Sequence, residues 1–485
     1  MKMKNVVLFL CCIMGVMCSC SEEEDFAFPA GSKLTFSADT VSFDTVFTSI
    51  GSATKQFRVY NNSDKGVRLT SVGLSSGGSS GFRVNVDGQY GTQFSDVEIN
   101  GDDSIFVFVE VTVDPHDSDS PILLADSLVF CLPDGSRQNV ILQAYGQDII
   151  IMKGEHISHD THLSAQRPYL IYDSLVVDSG ILLTIDPGVT LCFHNGASLE
   201  VHGTVQARGS LEHPVVFRGD RTDRILPYLP YDLLDAQWGG IHIDNKTEDR
   251  QNIFSFCDIH GGTYGIRLDQ AASSDSQTLC IESSSIHNVS GHGLDLRYSL
   301  AYVANCQISN AGSNCVNVIG GKAQFYYTTI AQFYPWSACG HAVYFANIAD
   351  SVVYPLHELL FQNCIITGYD TKDEFYGTKY TPEEGSSEQK AVDFNYSVKN
   401  SLVLTVPEDV DTTLFTGCIW DTDTAYNRKH NFKLIDEENY VYDFHLSDSS
   451  KARGIGAQIR DLTTDKDGKP RPVTATDAGC FQFAD

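Results

Sequence analysis

Phe256-Cys257-Asp258-Ile259-His260, Ser284-Ser285-Ile286-His287, Asn305-Cys306-Gln307-Ile308-Ser309, Thr328-Thr329-Ile330-Ala331 and Asn363-Cys364-Ile365-Ile366-Thr367 are versions of one short segment. Their isoleucines 259, 286, 308, 330 and 366 are 27, 22, 22 and 36 residues apart. The first four segments are each followed by a polar or Gly-rich turn and a second apolar alternation. These second runs are Gly265-Ile266-Arg267-Leu268-Asp269, Gly293-Leu294-Asp295-Leu296-Arg297, Cys315-Val316-Asn317-Val318 and Ala342-Val343-Tyr344-Phe345. No helical pattern lies between them. Short strands recurring with a period near 22 are what one coil of a parallel β-solenoid requires. Such a coil cannot bury its inward face alone, so coils stack.

Side chains alternate faces along a strand. Ile266, Leu294, Val316 and Val343 therefore form one inward column, and Leu268, Leu296, Val318 and Phe345 another. The outward columns set Arg267 beside Asp295 and Asp269 beside Arg297. The reversal of sign predicts pairing between rungs, worth about 0–1 kcal/mol per exposed pair.

The chain has 485 residues, too many for one ordinary compact core, so two domains or a solenoid are expected. Hydrophobic residues at 42% and aromatic residues at 11% suit a folded protein. The formal charge of −29 argues against nucleic acid, whose phosphates need Lys and Arg. It also disfavours polyanionic sugars unless a cation bridges. Of the 14 Cys, ten follow residue 20, spread singly without a CxxC pair. Cys257, Cys306 and Cys364 share one repeat position, two before the inward Ile, and read as buried free thiols. No Cys/His pair has zinc-ligand spacing, so no metal centre is expected.

Residues 33–148 read as seven or eight alternating strands broken by turn signals such as Asp87-Gly88 and Pro133-Asp134-Gly135. That pattern fits an immunoglobulin-like β-sandwich acting as a spacer or adhesive module. Its Asp114, Asp117 and Asp119 read as a solvated acidic loop, with Ca²⁺ as the alternative. Residues 149–168 read as a junction. There His156, His159 and His162 would share a face only on a helix, which the Ile, Ser and Thr of the segment oppose. From residue 169 the runs "LLTIDPGVTLCF", "ASLEVHGTVQARGS", "HPVVFRG" and "QWGGIHI" resemble coils of right-handed parallel β-helix proteins of the pectate-lyase-like superfamily. The resemblance covers roughly 169–485 and implies an all-β chain of sandwich plus right-handed β-helix, with about ten coils. Insertions at 220–237 and 369–392 interrupt the coils. The closing "DFHLSDSSKARGIGAQ" and "TDAGCFQF" resemble the C-terminal cap of such proteins.

The N-terminus resembles a bacterial lipoprotein signal over residues 1–19. Lys2 and Lys4 precede the apolar run 6–16, which ends at Met17-Cys18-Ser19-Cys20. Cys20 is then the lipid attachment site, carrying palmitate. The acidic linker that follows, within 20–32, resembles the export tag of Bacteroidetes surface lipoproteins. The order "FDTVF", "FRVYNNSD", "VEVTVDP", "VILQAYGQD" in the first domain likewise resembles envelope immunoglobulin-like modules that precede larger domains in proteins of that group. This implies an outer-membrane lipoprotein exposed at the cell surface, monomeric, whose membrane contact is its lipid.

The pectate-lyase-like fold carries lyases, hydrolases, esterases and pure binders, so it does not choose the chemistry. Lyases of the group use an Arg or Lys base, with Ca²⁺ or Arg against the uronate. Its hydrolases use several Asp on neighbouring coils. If the chain is an enzyme, the candidates are His260, His287, His292, Arg267, Asp295 and Arg297, as acid, base and charge partners. Paired-carboxylate signatures are missing, and Arg267/Asp295 and Asp269/Arg297 can neutralise each other. The reading therefore favours a non-catalytic binding or adhesion module for a glycan or envelope partner. A polysaccharide lyase or glycoside hydrolase is the rival, and a structural envelope component the third reading. Tyr369, Phe375, Tyr376 and Tyr380 of the second insertion are the candidate sugar-stacking aromatics. No cofactor is expected, and Ca²⁺ stays open.

Overall fold

A computed structural model of the chain describes residues 26, 29, 31–226, 228–244, 250–269, 279–369, 373–382, 392–422 and 428–483. Residues 1–19, Cys20 and most of the acidic linker lie outside these. The chain divides into two compact units, one ending at Asp148 and the other beginning at Ile149.

The first unit is a sandwich of two five-stranded sheets. One sheet orders Thr35–Phe36, Lys55–Asn61, Asp103–Val111, Phe82–Val86 and Gln89–Gly91. The other orders Thr40–Phe47, Arg137–Gln147, Ile122–Cys131, Val67–Leu74 and Gln93–Ile99. All neighbours are antiparallel except Thr40–Phe47, which runs parallel to Arg137–Gln147. Alternate residues such as Val59, Val107, Leu128 and Leu142 face inward and are fully buried, which places the core between the two sheets.

The second unit is a parallel β-solenoid whose 26 strands belong to one continuous sheet wrapped on three faces. The strands Cys257–His260, Ser285–Val289, Gln307–Ala311, Thr329–Gln332 and Ile365–Gly368 stack on the first face, with Ile259, Ile286, Ile308, Ile330 and Ile366 in register. The second face stacks Ile266, Leu294, Val316 and Val343, as the alternation predicts, and extends that column to Ile241 and Phe375. The third is built by strands such as Asn252–Ser255, Leu279–Glu282 and Leu356–Gln362. The inward columns of all three faces form a single buried core.

The repeated segment owes its form to a corner. Phe256, Ser283, Asn305, Tyr327, Asn363 and Asn400 occupy one position and all have φ between 46° and 59°. This left-handed conformation disfavours residues with a Cβ, Asn least. Each backbone N–H pays it back by bonding a carbonyl of the next coil, as from Asn305 to Tyr326, Tyr327 to Gln362 and Asn363 to Lys399. The following residue is Cys257, Ser284, Cys306, Thr328, Cys364 or Ser401. Each side chain donates to the carbonyl two residues back, for example Cys306 Sγ to Ala304 at 3.1 Å and Ser401 Oγ to Lys399 at 2.8 Å. The thiols are buried as the sequence predicts, but Cys alternates with Ser and Thr because the position needs a small side-chain donor. None of the ten cysteines after residue 20 is in a disulfide.

Two segments differ from expectation. Residues 149–168 are strands, Ile150–Ile157 and Thr161–Leu163, of the solenoid's own sheet. His156 and His162 there face separate carboxylates, Asp178 and Asp186, on the next coil. The C-terminal tail, expected to close the open end, lies along the first face. Phe432, Phe444 and Phe481 pack with Phe333 against the outward Ala331, Ile365 and Leu402. Its backbone and Arg471 also bond the corner residues Asn305, Tyr327 and Asn363. The insertion 220–237 holds a short hairpin and a 3₁₀ turn, and Asp235 at its end accepts a bond from the Tyr334 hydroxyl.

Candidate functional site

Two polar groups stand on the solenoid. On the first face, Asp258 and His260 point outward from one strand, and His287 lies one rung above His260. The two imidazoles stack with centroids 5.0 Å apart and planes 19° apart. Asp258 Oδ1 is 3.3 Å from His260 Nδ1 and 3.0 Å from His287 Nε2. Asp232, carried by the 3₁₀ turn of the first insertion, meets His260 Nε2 at 2.9 Å and Arg218 at 2.8 Å. The His260 side chain is 7% exposed, against 24% for His287 and 38% for Asp258. Burial opposes a charged His260, yet Asp258 and Asp232 on either side outweigh it and raise its pKa to about 10. Burial likewise raises Asp258, and His260 and His287 more than reverse this, holding it well below the carboxylate range.

On the second face, Arg267, Asp269 and Arg297 line a cavity of about 250 Å³ together with Ile319, Ala349, Asp350 and Tyr354. Arg267 reaches Asp269 on its own strand at 2.9 Å, and Arg297 reaches Asp295 on its own strand at 3.1 Å. Of the two cross-rung pairs expected, Arg297–Asp269 forms at 3.9 Å, while Arg267 turns to Asp269. Asp295 is not an exposed partner: it is fully buried, and it also accepts a bond from Asn317 at 2.7 Å. His242, in the same column as Arg267, spans Glu200 and Asp269 at 2.9 Å each. Its bond to Glu200 raises its pKa against burial, with Asp269 adding to the rise. Burial raises Asp269, but Arg267 and His242 outweigh it and lower the carboxyl; burial lowers Arg267, but Asp269 outweighs it and raises the guanidinium. Both are thus locked in their charged forms. His292 accepts from the Asn314 backbone at 3.1 Å, and burial holds its pKa down, helped by Arg297 and opposed by Asp295.

The six candidates thus separate: His260 and His287 meet on the first face, and Arg267, Asp295 and Arg297 meet on the second, with His292 in the turn before it. The four aromatics separate too. Phe375 is core, because its strand pairs in register with Val343 and turns it inward. Tyr376 is 45% exposed and stacks on His341 at 5.0 Å. Tyr369 lies edge-on to Phe333, and Tyr380 is half-buried with its N–H on Asn347. In the sandwich, the loop of Asp114, Asp117 and Asp119 is gathered by Asp148, which accepts from the N–H groups of His116 and Ser118.

Sequence reasoning missed Asp232, Glu200, His242 and Tyr354. The register of "QWGGIHI" on the Ile266 column would have placed His242 beside Arg267. Nothing local marks Asp232, whose partner lies on another coil beyond the insertion.

No known family model matches the chain, and no curated protein matches it. Among solved structures, it is similar over 25% of its length to a family 123 glycoside hydrolase from Clostridium perfringens, studied for glycolipid glycan hydrolysis, at 7% identity and TM-score 0.19. It is similar over 24% to the E. coli chaperone DraB, at 15% identity and TM-score 0.17. The matches span 30% and 55% of those chains, and at such scores they bear on neither site nor activity.

Proposed function

We propose that the solenoid is a non-catalytic recognition module that seats a neutral glycan in the second-face cavity. The carrying observation is that the cavity's arginines are ion-paired, Arg267 with Asp269 and Arg297 with Asp295. A charge-balanced rim offers many hydrogen-bond donors and acceptors without attracting a polyanion. Tyr354, 5.9 Å from Tyr298 between ring centroids, supplies an aromatic wall for a sugar. Proton transfer needs a group poised near the working pH. Asp269 and Arg267 are held away from that condition, which favours binding over a lyase or hydrolase. In this reading a lipid on Cys20 holds the protein at the outer-membrane surface, where a glycan or an envelope partner is met.

The test is affinity for a panel of neutral polysaccharides, measured by calorimetry with wild type, Arg297→Gln and Tyr354→Ala. We expect a loss of about tenfold or more in each variant. Unchanged affinity in both would move the site elsewhere.

A further inference from the structure

The cluster on the first face brings together three side chains of metal-ligating type, two imidazoles and a carboxylate. One ligand atom from each of Asp258, His260 and His287 converges, all within 4.8 Å of one another. The two edges that meet at Asp258 Oδ1 measure 3.0 and 3.3 Å. Donors about 2.0–2.1 Å from a tetrahedral ion are themselves about 3.3 Å apart. The third edge, nitrogen to nitrogen, is within 4.8 Å, and the His287 ring is part-exposed. The nitrogen of His260 that faces away from the cluster bonds Asp232, which Arg218 holds in turn. A carboxylate on the far nitrogen of a ligating histidine fixes its tautomer and orientation. The backbone of His260 is held as well, since its carbonyl accepts from Trp238 Nε1 at 2.8 Å.

We infer that Asp258, His260 and His287 form a binding site for a divalent transition-metal ion, oriented by Asp232. Two imidazoles and one carboxylate suit Zn²⁺ rather than Ca²⁺, which takes six to eight oxygens. Three protein donors leave a coordination position to water. Ligation through His260 Nδ1 requires that nitrogen to lose its proton, so uptake releases a proton to solvent. The site lies on the first face and owes nothing to the glycan reading. The spacing rule misses it because its ligands lie on neighbouring coils, with His260 and His287 one rung apart.

The experiment is titration of the purified full chain, first stripped with a chelator, with Zn²⁺ alone. Calorimetry and thermal melting are followed, and Co²⁺ is loaded in parallel as a spectroscopic probe. We expect one ion per chain, a higher melting temperature with Zn²⁺, and Co²⁺ bands typical of tetrahedral nitrogen and oxygen ligation. His287→Gln is expected to lower affinity about 100-fold or more, and Asp232→Asn by about 10–100-fold with stoichiometry kept. His357→Gln, at a separate His–Asp pair, is expected to change nothing. Zn²⁺ affinity unchanged in His287→Gln, or no stoichiometric binding by wild type, would leave only a hydrogen-bonded ion network and overturn the site. Should His287→Gln fail to fold, wild-type Co²⁺ protein without tetrahedral bands overturns it alone.

Discussion

The first face of the solenoid is one surface with two characters. Its inward residues are apolar throughout, an isoleucine column from Ile259 to Ile366 that continues in Val403. Its outward residues are not. The early rungs present Asp258, His260 and His287, and what settles over them is a turn of the first insertion, tied by Asp232 to His260 and Arg218. The later rungs present Ala331, Ile365 and Leu402, and what settles there is the aromatic C-terminal tail. The inward column fixes the coil, whereas the outward column selects its cover, charge recruiting charge and apolar surface recruiting rings.

The contrast breaks most visibly at the tail. Phe444→Ala should cost about 3–5 kcal/mol, as for a buried aromatic, because it removes a ring stacked on Phe333 and edge-on to Phe432. Urea denaturation of the full chain measures it. A cost below about 1 kcal/mol would mean the tail merely rests on the face. The early rungs should give less. His260→Ala leaves Asp258 and Asp232 without the ring between them, at about 1–3 kcal/mol in chelator-treated protein by the same method. A loss equal to that of Phe444→Ala would erase the distinction between the two covers.

The corner column is shared by both halves and sharpens the comparison differently. Cys364→Ser should stay within about 0.5 kcal/mol of wild type, because Ser284 and Ser401 already serve that position. Cys364→Val should lose about 1 kcal/mol, since the Gln362 carbonyl loses its side-chain donor. Equal losses in thermal melts would reduce the column to a matter of size.

The smallest effect belongs to the second face. The folded-state pKa of His242 is raised by Glu200 and Asp269. Its stabilisation is therefore fully present below the unfolded value of about 6.5 and is lost as pH rises through the raised folded value. His242 is partly exposed, so the difference between wild type and His242→Gln should be about 0.2–1 kcal/mol near pH 6 and should shrink in more alkaline buffer. A difference constant with pH would contradict this.

The second-face alternation and the spacing of the isoleucines made the solenoid and its register legible, because period-2 burial writes itself directly into sequence. The corner was half legible: Asn305, Asn363 and Asn400 suggest a left-handed residue, but Phe256 and Tyr327 hold the same conformation with none of the usual composition. Phe375 was misread because it falls within the stretch 369–392 read as an insertion, where the phase is lost, so only pairing with Val343 reveals that it turns inward. The charge pairs were legible as residues and only in part as partners, since Arg297 meets Asp269 but Arg267 does not meet Asp295. Arg267 had Asp269 two residues along its own strand and Asp295 on the next rung; it turns to Asp269, while Asp295 is buried against Arg297 and Asn317. Asp232 was illegible because no periodicity links an inserted loop to the rung it covers.

The central functional claim is recognition without turnover on the second face. The most direct measurement is one incubation of the full chain with neutral polysaccharides, with and without Zn²⁺, in which retention of the glycan and new reducing or unsaturated chain ends are followed together. We expect retention that depends on Arg297 and Tyr354, with no new ends. New chain ends that vanish in Arg297→Gln or His287→Gln would contradict it and make the solenoid an enzyme.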